Sequence, residues 1–221
     1  MKKTTLVALV FGAFLASCSD SGKKVEANDA EAVETVQTEE TVEYNTIKEG
    51  SYFDWRAAHL GGVDPRFGKM YAKSANVLVN NGAVTNATIE VDMTTLTVEN
   101  FGDDAETSAK FLGHLLSPDL FNVEAYPTSR FELTGIAAGT GEFNSAITGN
   151  LTILDATKSI TFNANVTVSE NEVSVVSEDF AITRQDWNIV YHTEGDEGVP
   201  AEYIIANDIG FTINVTLTKE Y

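Results

Sequence analysis

The chain has 221 residues, 33 carboxylates against 14 lysines and arginines, and a formal charge of −19. That balance argues against nucleic acid as a partner and against anionic headgroups as an electrostatic one. The length suits a single domain once the first residues are set aside, and no internal apolar run approaches the roughly 18 residues of a membrane span.

Those first residues read as a targeting signal. Lys2 and Lys3 precede an apolar run from Leu6 to Leu15, and the small residues Ala16 and Ser17 follow. A run this short, with these flanks, is a signal peptide covering residues 1–17. Leu15-Ala16-Ser17-Cys18 resembles a bacterial lipobox, and Cys18 is the only cysteine in the chain. With no partner for a disulfide, Cys18 is expected to be lipidated. Each buried methylene contributes about 0.8 kcal/mol, so two or more acyl chains hold firmly. Ser19 follows where an Asp would favour inner-membrane retention, which points to the outer membrane of a bacterial envelope, with the protein facing periplasm or cell surface. Residues 18–46 then carry Glu26, Asp29, Glu31, Glu34, Glu39, Glu40 and Glu43, two lysines and few large apolar groups. Such a segment predicts a disordered acidic tether, either a solvated spacer or a partner-binding tail.

From residue 47 onwards the dominant signal is a period of two. Ile160, Phe162, Ala164, Val166 and Val168 alternate with polar residues, as do Ile209, Phe211, Ile213, Val215 and Leu217, and Ile147, Gly149, Leu151 and Ile153. Strands with one wet and one buried face follow, which excludes a parallel α/β fold. Eight strands are expected, at about 50–59, 67–80, 83–93, 129–138, 143–154, 158–169, 172–184 and 204–218, and Asn80-Asn81-Gly82 reads as a tight hairpin. Eight antiparallel strands close into a barrel with room for one ligand, or stack as a sandwich; periodicity alone leaves both open. The long interruption at 94–128 offers Ala109, Leu112, Leu115 and Leu116 at helical spacing, with Ser117-Pro118-Asp119 as a second plausible helix start. A short helical insertion near 107–128 fits, serving as a lid at the barrel mouth or as a plug.

Within that interruption, Gly113 to Phe131 reads GHLLSPDLFNVEAYPTSRF. This closely resembles the central motif of the YceI-like family of secreted lipocalin-like barrels that bind polyisoprenoids. Ile89–Val98 (IEVDMTTLTV), Ile147–Phe162 (ITGNLTILDATKSITF) and Phe180–Tyr191 (FAITRQDWNIVY) are similar to three further family blocks, in the same order. The similarity covers roughly residues 50 to 219. At its start the family usually has Trp and then Lys four residues later; here Trp55 is followed by His59. The resemblance implies an all-β, eight-stranded antiparallel lipocalin-like barrel. It also implies a protein that binds an apolar lipid of polyisoprenoid or isoprenoid-quinone type, for carriage or sequestration, and not an enzyme. The rival is a structural or interaction module of the envelope with a filled core.

A search for chemistry supports neither catalysis nor a metal. His59, His114 and His192 share no short ligand spacing, and Asp103-Asp104-Ala105-Glu106 lacks that of a calcium loop. No nucleophile elbow, phosphate loop or dinucleotide fingerprint occurs. The expected ligand-binding residues are aromatic and apolar: Trp55, Phe67, Phe111, Leu115, Phe121, Phe131, Phe162, Trp187 and Phe211. Of the polar candidates, His59 stands at the family's Lys position. His114 would bind a head group or hold a loop through backbone carbonyls. Arg184 would stack on Trp55 or Trp187 beneath the barrel, or meet a ligand phosphate.

Overall fold

Alternating apolar residues pair into one continuous sheet, in a computed structural model that describes residues 22–35, 38 and 40–220. Four short pieces come first: β1 (Lys23–Lys24), β2 (Asn28–Asp29), β3 (Val42–Tyr44) and β4 (Thr46–Ile47). The long strands are β5 (Tyr52–Ala57), β6 (Arg66–Asn80), β7 (Ala83–Asp92), β8 (Thr128–Ala138), β9 (Ser145–Ile153), β10 (Ala156–Val168), β11 (Glu172–Ser177), β12 (Phe180–Thr183) and β13 (Asp208–Thr218). Helix α1 (Ala105–Leu116) lies between β7 and β8. From β6 to β11 each strand pairs antiparallel with the next; β11 and β12 both pair with β13, and β13 pairs with β5, which returns to β6. With β11 and β12 counted as one interrupted strand, the ring is an eight-stranded antiparallel barrel, as the resemblance implies and the strand pattern allows. Closure removes the unpaired edges that a sandwich would expose.

The two ends of the barrel differ. One carries tight hairpins: Asn81 and Gly82 between β6 and β7, both at positive φ as a type I′ turn requires, and the short turns at 139–144 and 169–171. The other carries every long connection, at 58–65, 93–127 and 184–207. Helix α1 belongs to the second of these, so it stands at the open end.

The segment expected to be a free tether joins the wall at Lys23–Lys24, Asn28–Asp29 and from Val42 onwards. Strands β3 and β4 pair with β6 and β13 below β5, so the first barrel strand begins near Val42 and not near residue 50. Tyr44 is 2% exposed and donates its hydroxyl to the Ser169 carbonyl at 2.8 Å, filling the hairpin end. Further upstream, β1 runs parallel to β12 and β2 antiparallel to β10. They fill a seam where β12 leaves β10: Glu178 bonds Asn163 at the parting, and beyond it Lys158 and Ser159 of β10 pair with Asp29 and Asn28 while Phe180 and Ala181 of β12 pair with Lys23 and Lys24. Val25, 7% exposed, packs into the core at the seam, and Asn150 exchanges two hydrogen bonds with the Glu31 backbone. The acidic composition hid this because docking needs only one apolar side chain here; backbone pairing supplies the rest. The signal peptide and Cys18 lie outside the described residues.

The helix boundaries also differ from expectation. Asp104 is the N-cap, accepting from the Thr107 amide at 3.0 Å and from its hydroxyl. Those two donors hold the Asp104 carboxyl below the usual carboxylate range. Ser117, read as a possible helix start, instead ends α1: its hydroxyl donates to the His114 carbonyl at 2.8 Å, and Pro118 blocks a further turn.

Candidate functional site

Side chains from every barrel position enclose a cavity of about 440 Å³ that opens at the end bearing α1. Its wall is apolar. A row of rings crosses from β8 to β13: Phe131 lies 5.9 Å from Phe162, Phe162 stacks on Phe180 at 4.6 Å, and Phe180 meets Phe211 at 6.0 Å. Strand β9 lies between Phe131 and Phe162, and Gly149 lets the rings meet across it: a Cβ there would collide with the Phe131 ring and with the Glu132 carbonyl. Trp55, the cross-strand partner of Phe211, continues the wall onto β5 and donates its indole N–H to the Thr97 carbonyl at 3.0 Å, so a large apolar face is presented without an orphaned donor. Gly68 makes that possible, because any side chain there would strike the same carbonyl.

Helix α1 and its following turn supply Phe111, His114, Leu115 and Phe121 to the wall near the opening. Leu115 is buried; the two phenylalanines are half-buried and line the opening. The insertion is therefore part of the cavity wall.

Polar lining is concentrated at the mouth. His59, His114, His192, Arg66, Tyr191 and Tyr203 all line the cavity there. His59 bridges to Ile205, whose amide donates to the His192 carbonyl at 2.9 Å. His114 stands edge-on to Tyr191 at 5.0 Å, and Tyr191 stacks on His192 at 3.9 Å. His192 holds a left-handed backbone with φ 46°, a conformation uncommon outside glycine and worth noting at a site.

Arg184 lies beneath these loops, 1% exposed. It does not stack on a tryptophan. It donates to the carbonyls of Ile189 at 2.7 Å, Ala206 and Ile205 at 3.1 Å and His192 at 3.3 Å. Burial pushes its pKa down, partly offset by Asp196 and Glu194, and a guanidinium so bonded stays charged. Its role is to clamp the two halves of the 184–207 connection.

Two expected binding residues fall elsewhere. Phe67 is 42% exposed and points outward. Strand β6 begins at Arg66 with Arg66, Gly68 and Met70 facing in; a bulge between Ala72 and Ser74 then shifts the inward set to Ala75, Val77 and Val79. Reading one phase through the whole strand inverted Phe67. Trp187 is fully buried but off the cavity, its indole donating to the Leu151 carbonyl at 2.9 Å. Sequence reading passed over Phe180 and Arg66, which begin strands, and Tyr191, His192 and Tyr203, which sit on a connection with no periodicity to place them. Among the described residues no cluster of His, Cys, Asp and Glu is arranged to hold a metal.

A closed antiparallel barrel with a deep apolar cavity and a polar mouth is the architecture of lipocalin-like proteins. The model of the YceI-like domain matches residues 29–217, and the chain belongs to that family. A UPF0312 protein of Pseudomonas putida strain W619 is 31% identical over 124 residues, which span 55% of this chain and 60% of the relative's length. BcnA of Burkholderia cenocepacia superposes with a TM-score of 0.56 at 18% identity, covering 76% of this chain and 96% of that one. A polyisoprenoid-binding domain from Saccharophagus degradans, implicated in plant cell wall breakdown, gives 0.55 at 13% identity, over 80% and 99%. At these identities the structural likeness concerns the fold.

Proposed function

We propose that this barrel binds a long apolar lipid of polyisoprenoid or isoprenoid-quinone type and carries or sequesters it in the bacterial envelope. The observation that supports the reading best is the cavity itself: about 440 Å³, walled by aromatic and aliphatic side chains, with polar groups gathered at one opening. A lipid already dissolved in a bilayer gains little by moving to another apolar place, so affinity comes from fit along the phenylalanine row and from contacts at the mouth. The same balance permits release. In this reading Cys18 is acylated and holds the protein at a membrane, with the outer membrane the expected one.

The decisive experiment is organic extraction of the purified protein followed by mass spectrometry. A stoichiometric isoprenoid-type lipid is expected. A protein that carries no lipid and takes none up from vesicles loaded with isoprenoids would instead be a structural module of the envelope.

A further inference from the structure

Each long strand of the ring is joined to both neighbours by its own ladder, except where β12 faces β10. Strand β10 pairs with β11 as far as Ala164 and Ser177; beyond that, β12 pairs with β13 and β1 and not with β10. The wall therefore has a framed gap. Towards the hairpin end its edge is the bonding between Asn163 and Glu178. Towards the mouth its edge is Trp187, bonded to the Leu151 carbonyl, and Asn188, bonded to Asp155 at 3.3 Å. Leu151 stands opposite Lys158, so the gap follows β10 from Lys158 to Asn163, roughly 17 Å. Directly behind it lie Phe162 and Phe180, stacked at 4.6 Å and both in the cavity wall.

Residues 22–31 cover this gap, and they hold its two sides unequally. On the β12 side the Lys23 and Val25 amides donate to the Asp179 and Ala181 carbonyls, both at 2.8 Å, Lys24 pairs with Asp208 at 2.9 Å, and Val25 is buried. On the β10 side the ladder is two residues long, Asn28 and Asp29 opposite Ser159 and Lys158. Ser159 and Asn163 turn backbone groups towards the gap, so strand alternation turns those of Thr161 the same way. Among the described residues no hydrogen bond joins Thr161 to the segment. Glu31 fastens the far end: its carboxylate accepts from the Ser159 hydroxyl at 3.3 Å and the Thr134 hydroxyl at 3.0 Å, and its backbone is bonded to Asn150. One buried apolar side chain and so short a ladder put this cover at the low-stability end of the wall. Residues 22–28 also precede the stretch that matches the family model.

Resting on the lipid reading above, we propose that this gap is a side portal for the ligand. The cover peels from β10 on a hinge at Lys23–Lys24, with Glu31 as its latch, and a long isoprenoid chain enters broadside between Phe162 and Phe180. End-on entry threads a flexible chain through the mouth and orders it unit by unit before burial offsets that cost. Side entry brings the middle of the chain straight onto the rings.

A disulfide across the β10 side tests this. Mature protein with Cys18→Ser, which removes the chain's only native thiol, is given Asp29→Cys and Lys158→Cys, a directly opposed pair. Delipidated protein is mixed with phosphatidylcholine vesicles holding a polyprenol and an isoprenoid quinone, recovered at intervals and extracted for mass spectrometry. The oxidised lock is expected to load at least about tenfold more slowly than the same protein reduced, with equal final occupancy. Glu31→Ala and Val25→Ala should each load at least about threefold faster than the parent, again to equal occupancy. An oxidised lock that loads as fast as its reduced form overturns the portal and leaves the mouth as the route. Alanine variants no faster than the parent overturn it too, and they decide the matter alone if the double-cysteine protein does not fold. A lock that lowers final occupancy in step with the rate acts on the cavity itself, and also overturns it. Failure of every form to take up either lipid would sink the lipid reading, and the portal with it.

Discussion

Arg184 lines the cavity, yet its guanidinium is committed to the backbone around it. The carbonyls of Ile189, His192, Ile205 and Ala206 belong to a connection with only two short 3-10 turns, and of the four His192 also accepts from the Ile205 amide. A single guanidinium satisfies them all and positions His192 at the mouth. Replacing it with Met leaves buried acceptors unpaired, so Arg184→Met should cost about 3–5 kcal/mol by urea unfolding. Arg184→Lys should recover less than half of that, since three rotatable donors on one nitrogen cannot reach four dispersed oxygens. If Arg184→Met unfolds within about 1 kcal/mol of wild type, the clamp is not what orders the connection. The hydrogen bonds also bear on the stacking expected from sequence, since the guanidinium is committed to carbonyls and not to a tryptophan ring.

Among the elements, the N-terminal pieces carry the consequence that differs most from a reading of composition. A solvated tether contributes under about 1 kcal/mol to folding, because it buries little apolar area. The structure assigns Val25 to a seam between β10 and β12 and Tyr44 to the hairpin end. A chain starting at Ala32 should therefore lose about 2–4 kcal/mol, and one starting at Thr46 about 3 kcal/mol more. Gly22→Val should mimic part of the first loss: Gly22 has φ 93°, and a Cβ would stand 2.7 Å from the Asp179 carbonyl carbon. Denaturant unfolding of the mature protein and these variants decides it. Equal midpoints for all of them would show that the segment does not dock in solution.

On the scale of the whole molecule, a cavity and a filled core respond differently to lost bulk. Phe180 is 3% exposed and stacked on Phe162, so Phe180→Ala should cost about 3–5 kcal/mol in the lipid-free protein. Phe111 and Phe121 are half-buried at the opening, where the removed atoms face the cavity. Their alanine variants should cost under about 2 kcal/mol while the amount of co-purifying lipid falls. Comparable destabilisation at all three sites, with no lipid in the wild type, would mean that the interior is packed by protein.

The sequence by itself determined the strands, the hairpin at Asn81-Gly82, the family and three residues of the phenylalanine row, Phe131, Phe162 and Phe211, but not Phe180, because side-chain alternation is a local consequence of the pleat. It also placed the insertion correctly, since Pro118, Pro127 and the broken period mark where pairing stops. Tertiary structure decided what alternation cannot encode. Closure of the ring sent α1 and the long connections to one end. A one-residue bulge in β6 turned Phe67 out and Arg66 in. The seam beside β12 drew Lys23–Asp29 into the wall through backbone hydrogen bonds, which depend on no side-chain pattern. The mouth, with Arg66, His59, His114, Tyr191 and His192, exists only because residues more than 100 positions apart meet where strands end; the chain carries no local signal for such a meeting.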